Sequence, residues 1–161
     1  MNLVLPGDPI LKHPPEKFNF LNPQVDLREL ANEMVKTMYE NNGIGLSANQ
    51  VGVPLQIFVM AAEQPILVIN PKILKYSEEQ VELEEGCLSY PGHWPKIKRS
   101  LWINARYNQP NGKAKSFRFE GMTARVFQHE FDHMMGKTMF DHMSKLKKDM
   151  YFKKMKKVKN G

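Results

Sequence analysis

The sequence predicts an α+β fold in which small antiparallel sheets pack around a central H-E-x-x-H helix, with an N-terminal helix and a C-terminal helix beside them. The candidate strands cluster between one early helix and two late ones, and they do not alternate with helices as a βαβ fold requires. The chain has 161 residues, which is short enough for one domain and long enough to bury a core. We therefore expect residues 1–161 to form a single domain.

The composition is that of an ordinary globular protein. Apolar residues make up 42% of the chain and charged residues 25%, and no apolar run reaches the length of a membrane span. The start, MNLVLPGDPI, lacks the basic end and apolar run of a secretory signal. The single cysteine, Cys87, cannot form an internal disulfide, so nothing requires an oxidising compartment. We expect a cytoplasmic monomer without membrane contact.

The N-terminal part of the chain is predicted to be a loop followed by a helix. Residues 1–23 contain five prolines, which interrupt regular structure. From about 25 to 41, apolar residues recur at helical spacing, and Asp26 with Glu29 fits a capping box. Asn42-Gly43 then provides a stop signal.

Several short strands are predicted in the middle of the chain. LQIFVM at 55–60, ILVIN at 66–70 and EQVELEE at 79–85 have the composition of strands. Residues 100–109 and 113–120 flank the tripeptide Pro-Asn-Gly, a pattern that predicts a β-hairpin.

Two helices are predicted near the C-terminus, and the second is strongly basic. One helix fits residues 122–136 and the other about 145–158, with Ser144 as its N-cap. From Lys137 onward there are nine lysines and two aspartates, a net charge of +7, whereas the preceding residues carry 14 basic and 15 acidic side chains, a net charge of −1. Such a tail indicates either a solvated helix face or contact with an anionic partner such as RNA.

The helix predicted at 122–136 contains the sequence HEFDH, an H-E-x-x-H motif. His129 and His133 are four residues apart, so they lie on one helix face and can bind one ion together. Glu130 lies beside that pair, where it can take a proton from water that the ion activates. The alternative is a helix whose histidines are surface or hydrogen-bonded core residues, and the motif alone does not decide between the two.

A catalytic ion of this kind needs a third protein ligand. The metzincin pattern fits at Gly136 but has Met139 where it requires histidine, and no glutamate follows Glu130, so the familiar metallopeptidases are disfavoured although they stay open. Cys87 could instead supply a thiolate, a soft ligand for iron, zinc, nickel or cobalt. It could equally be a small buried residue, or a nucleophile with a histidine as its base.

Three motifs in order resemble those of the peptide deformylase family: GIGLSANQ at 43–50, EGCLS at 85–89 and QHEFDH at 128–133. The resemblance extends from the helix near residue 25 to about Lys147. It implies a metal-dependent hydrolase that removes the formyl group from the N-terminal formyl-methionine of nascent polypeptides and releases formate. The ion is expected to be Fe2+ in vivo, with Zn2+, Ni2+ or Co2+ as alternatives.

The resemblance also implies a role for individual residues in the reaction. Three residues would bind the metal, one would act as general base on the attacking water, and two would donate hydrogen bonds to the anionic oxygen of the transition state. In that order they are Cys87, His129 and His133; Glu130; and the side-chain amide of Gln50 with the backbone N–H of Leu88.

A further set of residues is expected to bind the substrate. Three would form an apolar pocket for the methionine side chain, and three would border the peptide through their backbone. Arg125 stands where the resemblance implies an apolar residue, so its charge is expected either at the pocket mouth or in contact with Glu85 or the substrate backbone. Ser47 stands where the resemblance implies alanine. The three residues of the apolar pocket are Ile44, Met122 and Val126, and the three that border the peptide are Gly45, Glu85 and Gly86.

The basic tail resembles the C-terminal helix with which bacterial members of the family dock on the ribosome. Leu146, Met150 and Met155 are expected to anchor its inner face, which leaves the late lysines outward. A non-catalytic RNA- or ribosome-binding protein is the remaining alternative, and the complete set of ligand and base residues disfavours it. The three other histidines, His13, His93 and His142, match no site of the family and are expected to be surface or packing residues.

Overall fold

The structure is a computed structural model that describes residues 1–160, except for the side chains of 158–160. Within that range the helices are α1 (Leu27–Glu40), α2 (Gly121–Met134) and α3 (Lys145–Asn160). The strands are β1 (Gly45–Ser47), β2 (Ile57–Met60), β3 (Ile66–Tyr76), β4 (Gln80–Glu84), β5 (Lys96–Ser100), β6 (Trp102–Asn108) and β7 (Ala114–Glu120). Short 3-10 turns cover Pro9–Lys12, Ala48–Val51 and Met139–His142.

The strands form two antiparallel sheets around α2, which confirms the predicted fold class. The larger sheet has the order β1-β2-β3-β6-β7, and β4 pairs with β5 in a separate two-stranded sheet. One face of the larger sheet packs on α2 through a cluster that includes Phe58, Phe119 and Phe127. The β1-β2 half of its other face packs on α1 around Met34 and Met38. The H-E-x-x-H helix is therefore held between the sheet and the loops that follow β4.

Helix α1 forms for the reasons that the sequence indicates. The Asp26 carboxylate accepts the backbone N–H of Glu29 at 3.0 Å, which satisfies one of the free donors at the helix start. Met34 and Met38 on one helix face are fully buried. The helix ends before Asn42, which adopts a positive φ of 56°. This ending directs the chain back along α1 and into β1.

The strand predictions are correct in position but incomplete. β3 continues six residues beyond the predicted 66–70, because two register shifts let it keep pairing with β6 past Asn70. β1 is absent from the predicted strands, and it forms because Gly45 pairs with Met60 of β2. β5 is absent from the predicted elements, since its sequence KIKRS carries three basic residues and becomes a strand only by pairing with β4.

Helix α3 packs through a different face from the one expected. Leu146 is 70% exposed and Met150 is 61% exposed, so the prediction that they anchor the helix is wrong. Tyr151 instead packs against the cluster that contains Phe140, an aromatic surface created by the 3-10 turn before the helix. Lysines 153, 154, 156 and 157 are exposed as expected, and the side chain of Lys159 lies outside the described residues.

Residues 1–160 contain no helix that is both long enough and apolar enough to cross a membrane.

The end of α2 is shaped by Gly136. Gly136 has a φ of +71°, and its N–H donates to the carbonyl of His133 at 3.2 Å. A Cβ at this position would lie 2.8 Å from the carbonyl oxygen of Lys12 and 2.9 Å from the nitrogen of Pro14. The N-terminal segment therefore packs directly on the residue that ends the metal-site helix, and only glycine fits there.

We predict that Gly136→Ala lowers the free energy of unfolding more than Gly52→Ala does. Both glycines have positive φ, and a left-handed alanine costs about 1 kcal/mol in each case. No atom lies within 4 Å of a Cβ at Gly52, whereas at Gly136 the backbone must shift, which adds about 1–3 kcal/mol. Urea unfolding of the two variants measures the difference. Equal losses would show that the contact with Lys12 and Pro14 is relaxed without cost.

Candidate metal centre

Three buried side chains from two distant segments meet beside α2. His129 and His133 project from one face of α2 toward the loop after β4, where Cys87 lies. One potential ligand atom from each residue lies within 4.8 Å of those of the other two. The Sγ atom of Cys87 is 3.6 Å from Nε2 of His133. The H-E-x-x-H motif and the sole cysteine therefore form one metal-binding site of one sulfur and two nitrogens.

These donors suit a divalent transition metal. A thiolate with two imidazoles is a donor set that iron, zinc, nickel and cobalt accept. Burial lowers the pKa of His133 to about 3, which favours the neutral imidazole that metal binding requires. The chemistry of the residues present thus fits one divalent ion.

The orientation of His129 is set by Glu85. Nδ1 of His129 hydrogen-bonds Oε1 of Glu85, which leaves Nε2 on the side of the metal site. Arg125 donates to Oε2 of Glu85 at 2.8 Å and Arg99 donates to the same atom at 3.1 Å. Burial raises the pKa of Glu85, but hydrogen bonds from His129 and Arg99 outweigh it and hold that pKa well below its ordinary value. Glu85 is therefore a fixed anion at the side of the first histidine.

Arg99 extends this network to the second half of the motif. Its Nη1 lies 2.7 Å from Oδ2 of Asp132, and Nε2 of His142 lies 2.8 Å from the same oxygen. Arg99 on β5 thus connects Glu85 beside His129 with Asp132 in the next turn of α2. Sequence reasoning did not identify Arg99, Asp132 or the contact of His142. The one sequence signal for this network was the aspartate inside HEFDH, Asp132, but the sequence does not reveal that its partner is Arg99.

Glu130 is buried next to the metal ligands. Its Oε1 lies 4.0 Å from Nε2 of His129, and within the described part of the chain its Oε2 has no hydrogen-bond partner. Burial raises the pKa of Glu130 to about 7, against the opposing effect of His129. A Cβ at Gly45 would lie 2.7 Å from Oε1 of Glu130 and 2.8 Å from Val126. Any side chain at position 45 would overlap Glu130, so a glycine is required there. This reason for the glycine is not visible in the sequence alone.

Gln50 is held in one orientation by its own turn. Its Oε1 accepts the backbone N–H of Ser47 at 2.9 Å and the hydroxyl of Ser47 at 3.0 Å. Its Nε2 consequently points toward the site, 3.4 Å from Sγ of Cys87 and 3.1 Å from Oγ of Ser89. The Ser47 hydroxyl also lies 2.7 Å from Oδ1 of Asn49, and because it has a single hydrogen it donates to only one of the two oxygens at a time. Asn49 Nδ2 also binds the carbonyl of His133 at 3.0 Å.

A cavity of about 630 Å³ opens over this site. All seven residues expected to bind substrate line it, together with Leu88, Cys87, His129 and Glu130, while Gln50 and His133 lie behind its wall. The guanidinium of Arg125 is buried and binds Glu85, the carbonyl of Ile97 and the carbonyl of Val81, so its charge is not at the pocket mouth. The cavity also has a wall that sequence reasoning missed, formed by residues 90–94 directly after EGCLS.

Comparison with protein families and curated proteins identifies relatives over nearly the whole chain. The family model described as polypeptide deformylase matches residues 1–149. The peptide deformylase of Rhizobium meliloti (strain 1021) is 38% identical over 162 residues, which cover 97% of this chain and 92% of the relative. That of Mesorhizobium japonicum is 40% identical, with 97% of this chain and 91% of the relative covered.

Solved structures agree with these sequence matches. Peptide deformylase from Thermotoga maritima superimposes with a TM-score of 0.84 at 38% identity, covering 89% of this chain and 97% of that one. Peptide deformylase from Ehrlichia chaffeensis in complex with actinonin gives a TM-score of 0.86 at 36% identity, covering 100% and 98%. The resemblance seen in the three motifs is confirmed. The chain belongs to the peptide deformylase family, metal-dependent hydrolases that remove the N-formyl group from nascent peptides.

Proposed function

We propose that this deformylase acts on N-terminal formyl-methionine with one divalent ion bound by Cys87, His129 and His133, and that the ion is Fe2+ in vivo. The observation that carries the proposal is the convergence of the three buried ligand atoms within 4.8 Å of one another, at the cavity that Glu130 also lines. Zn2+, Ni2+ and Co2+ suit the same donors. When bound, the ion supplies a Lewis acid that lowers the pKa of water and polarises the formyl carbonyl.

Glu130 is the proposed general base and acid. Its Oε2 is buried near the ligands and has no hydrogen-bond partner among the residues that the structure describes, so it can accept a proton from the attacking water. The water oxygen then bonds to the formyl carbon, the carbon–nitrogen bond breaks, and Glu130 delivers the proton to the departing methionine amine. The products are formate and a peptide with a free N-terminus. The Gly45 backbone supports this role, since it leaves space for the Glu130 carboxylate.

Gln50 and Leu88 are the proposed donors to the oxygen that becomes anionic. The Gln50 amide is already oriented by Ser47, so it need not reorganise as charge develops. The backbone N–H of Leu88, next to Cys87, donates to no acceptor among the described residues. Both donors therefore lie beside Cys87, one of them the side-chain amide of Gln50 and the other the backbone N–H of Leu88.

The methionine side chain is proposed to bind against Ile44, Met122 and Val126, three apolar residues that line the cavity. The backbones of Gly45, Glu85 and Gly86 border the peptide. Arg125 contributes from behind, because its guanidinium holds Glu85 and through it His129. We assign Arg125 to positioning rather than to contact at the mouth of the pocket.

The exposed lysines of α3 are proposed to contact the ribosome, where the N-formyl-methionyl nascent chain emerges. Lysines 153, 154, 156 and 157 face solvent, and their charge favours the phosphates of RNA. A substrate made at the ribosome and a lone cysteine both fit a cytoplasmic monomer.

We expect the protein to release formate from a formyl-methionyl peptide and to stop when a chelator removes the metal. Cleavage depends on the ion, so adding Fe2+, Zn2+, Ni2+ or Co2+ to the stripped protein under anaerobic conditions should restore it. Formate release and bound metal are measured on the same samples. Full activity in metal-free protein would instead support Cys87 as a nucleophile.

Substitutions should separate the base from the sulfur ligand. Glu130→Gln is expected to keep the metal and to lose turnover by about a hundredfold or more, because the general base is lost. Cys87→Ser is expected to weaken metal binding, because a hydroxyl is a poorer anionic ligand. Glu82→Gln, at an exposed glutamate of β4, serves as the matched control and should behave as the parent. Metal loss in Glu130→Gln with retention in Cys87→Ser would reverse the two roles.

Reversing the charge of the five tail lysines to glutamate should leave turnover of a short formyl peptide unchanged, since the metal site is untouched. Binding to ribosomes should fall in the same variant, most clearly at low salt, because phosphate contacts are lost. The control reverses five exposed lysines elsewhere, at positions 17, 36, 72, 113 and 115, and carries the same net charge. Equal ribosome binding by the tail variant and the parent would assign the tail to a solvated helix face.

A further inference from the structure

The cavity wall formed by residues 90–94 is held from outside by α3. Near its ends, the N–H of Tyr90 donates to the carbonyl of Cys87 at 2.9 Å, and the N–H of Glu85 donates to the carbonyl of Pro95 at 2.9 Å. Trp94, the last residue of the wall, has a partner outside this loop. The backbone N–H of Trp94 donates to the hydroxyl of Tyr151 at 3.0 Å. This tyrosine lies beyond residue 149, where the match to the family ends.

The position of Tyr151 is fixed by packing. Its ring is 5.9 Å from that of Phe140 and 5.7 Å from that of His93, and it packs on the buried cluster that contains Cys87. Its hydroxyl is also 3.3 Å from Nδ1 of His93. Within residues 1–160, no other acceptor serves the Trp94 N–H. Tyr151 is thus a rigid support with one polar atom directed at the wall.

The indole of Trp94 lies over the backbone next to the metal ligand. A Cβ on Gly86 would lie 2.5 Å from Cζ3 of Trp94, so the ring rests directly on the residue before Cys87. Trp94 is nevertheless 62% exposed, and it lines the cavity. A large aromatic face beside a binding cavity offers apolar area to a ligand at little conformational cost.

We propose that Tyr151 is a positioning residue that holds the Trp94 indole as a platform for peptide residues beyond the formyl-methionine. The inference rests on the proposed function in one respect, that the peptide passes Gly86. The chemistry of formyl removal does not involve Tyr151. Its contribution is to the binding of longer chains, and it acts through Trp94. The helix that carries the basic tail therefore also supports one wall of the cavity.

The test compares a formyl-methionyl dipeptide with a formyl-methionyl tetrapeptide that has apolar third and fourth residues. Tyr151→Phe keeps the ring packing and removes only the hydroxyl, with its contacts to the Trp94 N–H and to Nδ1 of His93. It is expected to raise KM for the tetrapeptide by about two- to tenfold, the effect of one lost hydrogen bond, with kcat, metal content and dipeptide KM unchanged. Tyr39→Phe, at an exposed tyrosine of α1, is the matched control and should equal the parent for both peptides.

A double-mutant cycle tests whether Tyr151 acts through Trp94. Trp94→Ala should raise tetrapeptide KM by itself, and adding Tyr151→Phe to it should have no further effect. In a Trp102→Phe background Trp94 is the sole tryptophan, since the chain has two. Its fluorescence should change on titration with the deformylated tetrapeptide, and Tyr151→Phe should weaken that titration.

The outcomes are distinct. Unchanged tetrapeptide KM in Tyr151→Phe overturns the inference, as does a Tyr151→Phe effect that persists in full without the indole. Loss of kcat or of metal in Tyr151→Phe would overturn it too, by showing a general structural role. Failure of the parent protein to release formate even from the dipeptide would contradict the proposed function and not this inference.

Discussion

The buried carboxylate of Glu85 is the group on which the rest of the site depends. A charge in the interior must be compensated, and removing one partner of such a pair costs about 3–5 kcal/mol. Here the compensation comes from Arg99 on β5, Arg125 on α2 and the ring of His129. The same interaction that neutralises the charge therefore joins the small sheet to the metal-site helix and sets the ring orientation of one ligand. Stability and catalysis depend on the same contact.

Close packing of two segments around the site, residues 43–45 and the loop at Gly86, depends on glycine. A Cβ at Gly43 would lie 2.7 Å from the side chain of Leu88, one at Gly45 would contact Glu130, and one at Gly86 would contact Trp94. The glycines of the first two motifs thus serve contacts inside the protein. They let the proposed base Glu130 and the proposed oxyanion donor Leu88 line the same cavity.

The basic helix α3 has two faces with different surroundings. Lysines 153, 154, 156 and 157 face solvent, and Tyr151 packs on the aromatic cluster beside the cavity. A partner bound to the outer face would therefore contact the same helix that supports the cavity wall at Trp94. If both proposals hold, α3 would take part in binding the ribosome through its lysines and in binding the nascent peptide through Tyr151 and Trp94.

Local sequence rules were sufficient to predict the features that depend only on residues close together in the chain. The four-residue spacing of His129 and His133 places them on one helix face whatever surrounds the helix, and the Pro-Asn-Gly turn at 110–112 specifies its hairpin. The order of the three motifs was enough to predict the family, and with it Cys87 as the third ligand.

Tertiary structure alone decided the remaining features, because each depends on pairing between distant residues. β1 and β5 exist through their partners β2 and β4, and β3 extends as far as β6 accompanies it. Arg99 meets Glu85 across 14 residues and Asp132 across 33, and no periodicity along the chain encodes such meetings. Leu146 and Met150 have helical spacing yet remain in water, because α3 reaches the body through Tyr151. Sequence spacing determines which side chains share a face, but only the fold determines what that face meets.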